Sequence, residues 1–173
     1  MDTPVATPVN TLPAFGTHFP AHGGYFAAVM RGATVDGVQQ PPDALIFTTA
    51  EFEATTTWGE YRQDVPGCAS RTDGHANTLA MLAANCPAAM HARGITVDGH
   101  SDYYLPSLGE LNTAAANAPE LFDPKGFYWT STQYDRYDAF CQSFELGDSP
   151  WDSKGNELRV RACRRIPLHT LST

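Results

Sequence analysis

Alternation of apolar and polar positions is clearest in the last third of the chain. Within Asp138–Leu146, Phe140, Phe144 and Leu146 share one face with Gln142, while Ala139, Cys141, Ser143 and Glu145 share the other. Within Glu157–Ile166, Leu158, Val160, Ala162 and Ile166 share a face, with Arg164 the exception. Glu157, Arg159, Arg161, Cys163 and Arg165 take the opposite face. Period-two patterning of this kind marks strands. With the aromatic run Phe127–Thr132, it predicts three strands. Antiparallel pairing with Glu145 opposite Arg159 sets Ser143 against Arg161 and Cys141 against Cys163. That register joins opposite charges across the strands and turns the large apolar side chains toward one core.

Upstream, Tyr25–Arg31 and Ala44–Thr49 read as strands of an opening hairpin joined by a Gly/Pro-containing loop. The Thr-rich run after Glu51 ends in Trp58, a candidate core anchor. Thr72-Asp73-Gly74 opens a helix whose apolar stripe is Leu79, Leu82, Ala83 and Cys86, interrupted by Pro87. A second helix starts at Ser107, with Glu110 three places later completing a capping box. Leu108, Leu111 and Ala115 form its buried face, Pro106 keeps the preceding residue extended, and Asn117-Ala118-Pro119 ends it. Residues 1–22 hold Pro4, Pro8, Pro13 and Pro20 and almost no charge, which forbids helix. They read as a disordered lead-in or, given Val5, Val9, Leu12, Phe15 and Phe19, as an extended arm for attachment or oligomer contact. The sum is an α+β fold over residues 23–173, with two helices on small antiparallel sheets and long loops.

Composition sharpens this. A chain of 173 residues can bury a sizeable core as one domain plus an arm. High Gly and Pro with few charges favour short elements and many loops. The net charge of -8 disfavours a nucleic-acid partner, because phosphate binding needs a basic face. The charge is uneven: residues 132–156 carry five acids and two bases, whereas residues 157–165 carry four arginines and one acid. Those arginines are expected to brace the fold by pairing with the acidic neighbouring strand and loop. With no apolar run of about 18 residues and no cationic start followed by an apolar stretch, neither membrane insertion nor secretion is expected. Synthesis and retention in the cytoplasm follow, unless a larger particle carries the protein out.

The two loops of the last third are candidates for recognition. Gln133–Tyr137 sets Tyr134, Asp135, Arg136 and Tyr137 side by side, followed by Asp138. The loop after Leu146 carries Asp148, Ser149, Trp151, Asp152 and Ser153. Aromatic side chains offer contact area at low entropic cost, and small polar residues offer adaptable hydrogen bonds. The plainer alternative is ordinary turn residues around partly buried aromatics.

Catalytic and metal chemistry find little footing. Cys68, Cys86, Cys141 and Cys163 show no CxxC spacing. In a reducing compartment they default to free, half-buried thiols, although the register above leaves a Cys141–Cys163 bridge open, with Cys68 and Cys86 flanking one helix. His18, His22, His75, His91, His100 and His169 make no zinc motif. Asp98-Gly99-His100-Ser101-Asp102 lacks the ligand alternation of a calcium loop. No nucleophile elbow or dinucleotide fingerprint occurs, and a Cys141–His100 pair is a remote option. No cofactor, metal or catalytic residue is expected.

The runs YWTSTQ (residues 128–133), AFCQSFELGD (139–148) and SKGNELRVRACRR (153–165) resemble a phage-associated family. It is the domain of unknown function related to the C-terminal domain of a bacterial collagen-like adhesin. YLPSLGELN (104–112) matches the same family's LPS-x-x-EL element, and GYFAAVMR (24–31) looks like the first strand of its phage members. The resemblance spans Gly23 to Pro167 and implies a C-type-lectin-like fold whose ligand-binding surface lies in the last third. It implies a display scaffold rather than an enzyme, from which a virion tail receptor-binding protein is expected, and nothing here recreates the copper-binding cysteines of the formylglycine-generating enzymes that share that fold. Tyr134, Tyr137 and Trp151 would anchor a host receptor (glycan, pilus or outer-membrane protein), with Asp135, Arg136, Asp138, Asp148, Ser149, Asp152 and Ser153 adding polar contacts. Other phage tail proteins would be partners, by analogy in a homotrimer; a structural tail adaptor is the alternative role.

Overall fold

The computed structural model describes residues 12–171. Two strands come first among the described residues, β1 (His18–Phe19) and β2 (Gly24–Met30). A small hairpin follows, β3 (Thr34–Val35) and β4 (Val38–Gln39), turning over Asp36 and Gly37 at φ of 49° and 77°. An Asp-Gly pair tolerates that left-handed backbone. Then come β5 (Asp43–Phe47) and β6 (Ala54–Thr57). Three helices succeed them: α1 (Gly74–Ala83), α2 (Pro87–Gly94) and α3 (Leu108–Asn117). The last third holds β7 (Phe127–Gln133), β8 (Asp138–Ser143), β9 (Trp151–Ser153), β10 (Glu157–Val160) and β11 (Cys163–Pro167).

These strands form a mixed α+β fold with two main sheets. One has the order β1-β2-β5-β11, the other β6-β10-β7-β8-β9. The first sheet is covered on both faces. Phe26, Ile46, Ile166 and Leu171 pack on one side, while Leu45, Phe47 and Cys163 meet Leu111, Ala114, Phe122 and Tyr128 on the other. The second sheet packs Trp129, Cys141 and Val160 against Trp58, Met81 and the alanines of α2. The anchoring role expected of Trp58 holds: it is fully buried and donates Nε1–H to Thr130 O at 2.7 Å.

The opening hairpin pairs as expected, with Tyr25 opposite Phe47 and Met30 opposite Asp43. The C-terminal pairing does not. β8 pairs with β7 and with β9, placing Phe140 opposite Trp151. Trp151 follows β8 at short separation, so closing that hairpin costs less chain entropy than reaching the C-terminal strand. The expected single strand Glu157–Ile166 divides in two. β10 inserts between β6 and β7, running parallel to β7 with Arg159 opposite Tyr128, and β11 joins β5 in the other sheet. Cys163 therefore faces Phe47 instead of Cys141, and all four cysteines are free and buried.

The helices need two corrections. Among the described residues there are three, because Pro87 ends the first stretch and also occupies the opening turn of α2, where a missing N–H costs nothing. The buried side of α1 is Gly74, Asn77, Thr78 and Met81, and Leu79 is exposed. Asn77 faces inward because its side chain bonds both the N–H and the C=O of Ser70. α3 starts as expected: Ser107 and Glu110 form the reciprocal capping box, with Leu108 and Leu111 buried. Ala114 takes the inner place expected of Ala115.

The expected boundary after residue 22 marks no break among the described residues. Phe15 packs on Phe26, His18 stacks on Tyr25 at 4.6 Å, Gly16 N–H donates to Phe26 O, and Phe26 N–H donates to Thr17 O. Within this segment β1 forms the edge of the first sheet. The rest of the expected arm, residues 1–11, lies outside the described residues.

The C-terminal arginines do brace the fold, but their partners lie elsewhere than the acidic loop. Arg161, 2% exposed, donates to Thr48 O at 2.7 Å and pairs with Glu53 at 2.9 Å. Arg159 bridges Glu53 and Asp123, Arg164 holds Asp102, and Arg165 holds Glu110. A buried guanidinium needs this many acceptors to offset its lost hydration.

Candidate functional site

The tip of the second sheet rests on β7, whose Thr130-Ser131-Thr132 run is fully buried despite its polarity. Each hydroxyl has a partner. Thr130 Oγ1 donates to Phe140 O, Ser131 Oγ accepts from Asn77, and Thr132 Oγ1 donates to Ser70 O and accepts from Leu108 N–H. This polar strand therefore docks onto the first turns of α1 and α3. Gln133 then ties the tip down. Its Oε1 accepts from Val65 N–H at 2.9 Å and Lys154 Nζ at 2.6 Å, and its Nε2 donates to Asp64 at 2.8 Å.

Lys154 is wholly buried, lies 4.7 Å from the Trp58 ring centre and also donates to Gln63 O. Burial holds its pKa below the ordinary value, opposed by Cys68, Asp64 and Cys86. Burial likewise pushes the Cys68 and Cys141 thiols up to about 12 and Cys86 to about 11.

On this base the tip residues divide into two neighbouring groups. Tyr134 and Trp151 stack with ring centres 4.6 Å apart and planes 9° from parallel. They remain 47% and 54% exposed. Tyr134 also meets Phe140 edge-on, and Arg71 lies over the other residue of that contact, Phe140, at 5.0 Å. Tyr137 belongs to the second group: it pairs with Tyr61 at 5.6 Å and an interplanar angle of 49°. Tyr61, Tyr137, Asp138, Ser153, Gly155 and Asn156 line an open cavity of about 640 Å³.

The remaining candidates are divided between structure and surface. Asp135 Oδ1 accepts from the N–H groups of Tyr137 and Asp138, forming the turn itself. Asp152 Oδ1 accepts from Ser153 N–H and Asn156 Nδ2 and caps the next turn. Arg136 donates to Arg62 O and lies over the Tyr137 ring. Ser149 bonds Asn112 of α3 at 2.7 Å, 2.9 Å from Gln142 Oε1. Asp148 is exposed on its loop. The pKa of Asp138 is raised by burial and by the charges of Asp135 and Asp152, with Lys154 opposing.

Sequence reasoning missed Tyr61, and it placed Gly155 and Asn156 in the recognition loop 148–156 without singling them out. Tyr61 comes from the loop after Trp58, and no local pattern ties it to Tyr137 so far along the chain. A larger cavity of about 780 Å³ lies by the first turn of α1. Its charged lining is already engaged, Arg165 by Glu110 and Asp102 by Arg164. Among the described residues no cluster of three or more His, Cys, Asp or Glu side chains could hold a metal, and no helix is long and apolar enough to cross a membrane.

No family model matches the chain, and no curated protein matches it. Among solved structures the fold is similar to that of a fimbrial protein from Bacteroides ovatus, with a TM-score of 0.52 at 11% identity. The match covers 81% of this chain and 43% of the fimbrial protein's. The chain thus spans less than half of that protein, and the likeness concerns the fold alone.

Proposed function

We propose that the chain is a non-enzymatic ligand-binding domain of C-type-lectin-like type, acting as the receptor-binding protein of a bacteriophage tail. The observation that carries the binding role is the exposed Tyr134–Trp151 stack beside the Tyr61–Tyr137 cavity. Large aromatic surface held rigidly in solvent is costly unless something covers it. Here the holding groups, Gln133 and Lys154, lie beneath the tip and leave the rings free.

The phage assignment draws on the sequence resemblance of residues 23–167. The C-type-lectin-like reading draws on the same resemblance and on strands from early and late in the chain meeting in one sheet. A fimbrial protein that shares the fold lends support at that level only.

The deciding experiment is adsorption. The purified chain should bind host cells and compete with phage attachment in proportion to its concentration. A chain that ignores the cells but captures another tail component would make it a structural adaptor, and turnover of a small substrate would make it an enzyme.

A further inference from the structure

The cavity between Tyr61 and Tyr137 has an unusual set of free hydrogen-bonding groups. Among the described residues no hydrogen bond or ion pair reaches the carboxylate of Asp138, and none reaches the Ser153 hydroxyl. Asn156 donates from Nδ2 to Asp152, and no hydrogen bond reaches its side-chain oxygen among the described residues. The wall therefore offers a carboxylate, a carboxamide oxygen and hydroxyls: acceptors predominate. Two tyrosine rings tilted at 49° to each other form the sides, and a ring face attracts a cation.

The charges around the cavity point the same way. Asp138 lies in the negative field of Asp135 and Asp152, opposed among cations by Lys154 alone. Arg62 and Arg136 lie over the rings of Tyr61 and Tyr137, but neither pairs with any of these acids. Lys154 is wholly buried and engaged by Gln63 and Gln133. The two guanidinium groups thus attend the rings, and the acceptors of the wall are left without a paired cation among the described residues.

We infer that this cavity receives a lysine side chain of the receptor, its ammonium on Asp138, Ser153 and Asn156 and its methylene stem along the Tyr61–Tyr137 pair. An ammonium brings three donors and no acceptor, matching the wall. A methylene stem makes no hydrogen-bonding demand and lies well along aromatic faces. The adjoining Tyr134–Trp151 stack offers flat apolar area for the protein surface that carries the lysine. This inference rests on the receptor-binding reading and narrows the receptor to a protein.

The test has two arms. In the first, Nα-acetyl-lysine methylamide is titrated into the full chain and followed by backbone amide shifts. Gly155 and Asn156 should move; the Nε-acetylated compound should bind about tenfold more weakly or less, as should lysine against Asp138→Asn. No shift with lysine, an equal response to the acetylated compound, or stronger binding of glucosamine overturns the inference. Asp138→Asn removes a charge with no partner, so its fold should survive, and an unchanged amide spectrum elsewhere verifies that.

In the second arm, adsorption to host cells is compared for Trp151→Ala and Asp138→Asn. Loss with Trp151→Ala alone overturns the lysine inference and leaves the receptor-binding reading standing. Adsorption unchanged in both overturns the receptor-binding reading, whatever the titration gives.

Discussion

Arg165 Nε donates to Glu110 Oε1 at 2.7 Å, joining the last strand to the first turn of α3. Glu110 is fully buried. Its other oxygen accepts from Ser107 N–H at 2.8 Å and Gly74 N–H at 3.1 Å, and Tyr104 OH donates to Oε1. One carboxylate thus caps α3, receives the first turn of α1 and fixes the strand beside them. Burial opposes the charge of Arg165, but Glu110 and Tyr104 outweigh it and hold its pKa above the ordinary value.

Glu110→Ala should therefore cost far more than a lost cap. Removing one member of a buried pair costs about 3 kcal/mol or more, and a melting temperature lower by about 10 °C is expected for a domain of this size. Arg165→Leu alone should cost less, since Arg165 is partly exposed. The double change should fall well short of the sum, a coupling that thermal melts of the four-member cycle would measure.

Replacing Tyr134, Tyr137 and Trp151 together by alanine should abolish adhesion with little damage to the fold. The stack and its edge contact with Phe140 are worth about 1 kcal/mol beyond area burial. A loss of no more than about 5 °C in melting temperature is expected. A much larger loss would make these rings supports of the fold.

Asp138 gives a pH signature. Its folded pKa is raised above the ordinary 3.8, so the folded state holds the proton more tightly than the unfolded state. Its carboxylate therefore weakens the fold above the folded value, and that loss is relieved as pH falls toward 3.8. Asp138→Asn should be more stable than the parent at pH 7, with the gap closing below about pH 4. Asp102 shifts the other way. Burial would raise its pKa, but the Arg164 guanidinium outweighs burial and lowers it, so its stabilising effect is present at neutral pH and lost in stronger acid. Urea melts of Asp138→Asn against the parent separate the two.

The thiols should be silent. Cys68 and Cys141 are pushed up to about 12 and Cys86 to about 11, and burial raises Cys163 well above its ordinary value. Nucleophilic attack needs the thiolate. A disulfide reagent at pH 8 should titrate none of the four in the folded chain and all four in denaturant.

Sequence pattern reached the elements whose signals are local. The Ser107–Glu110 box, the helix start at Thr72-Asp73-Gly74 and the opening hairpin each depend on neighbours in sequence, and each forms. Period two located β8 and the two halves of the last strand, but it says nothing about which strand lies alongside. The segment around Trp151 reads as loop in the sequence, yet it supplies β9 and takes the place beside β8 expected of the C-terminal strand. The break at Arg161–Ala162 was hidden because the groups that hold Arg161 there, Glu53 and Thr48, lie more than a hundred residues away. At the tip, composition alone pointed to Tyr134 and Trp151. It could not show that Asp135 and Asp152 spend their carboxylates on turns, or that Tyr137 finds its companion in Tyr61.

The crossing at Arg161 has a thermal consequence. Between Val160 and Cys163 the backbone passes from one sheet to the other, and the guanidinium at that seam binds Thr48 beside one and Glu53 beside the other. Neither layer can peel away without stranding that charge. Heat should thus melt both layers as a unit, with calorimetric and van't Hoff enthalpies agreeing, and Arg161→Met should be the change that lets the two layers melt apart.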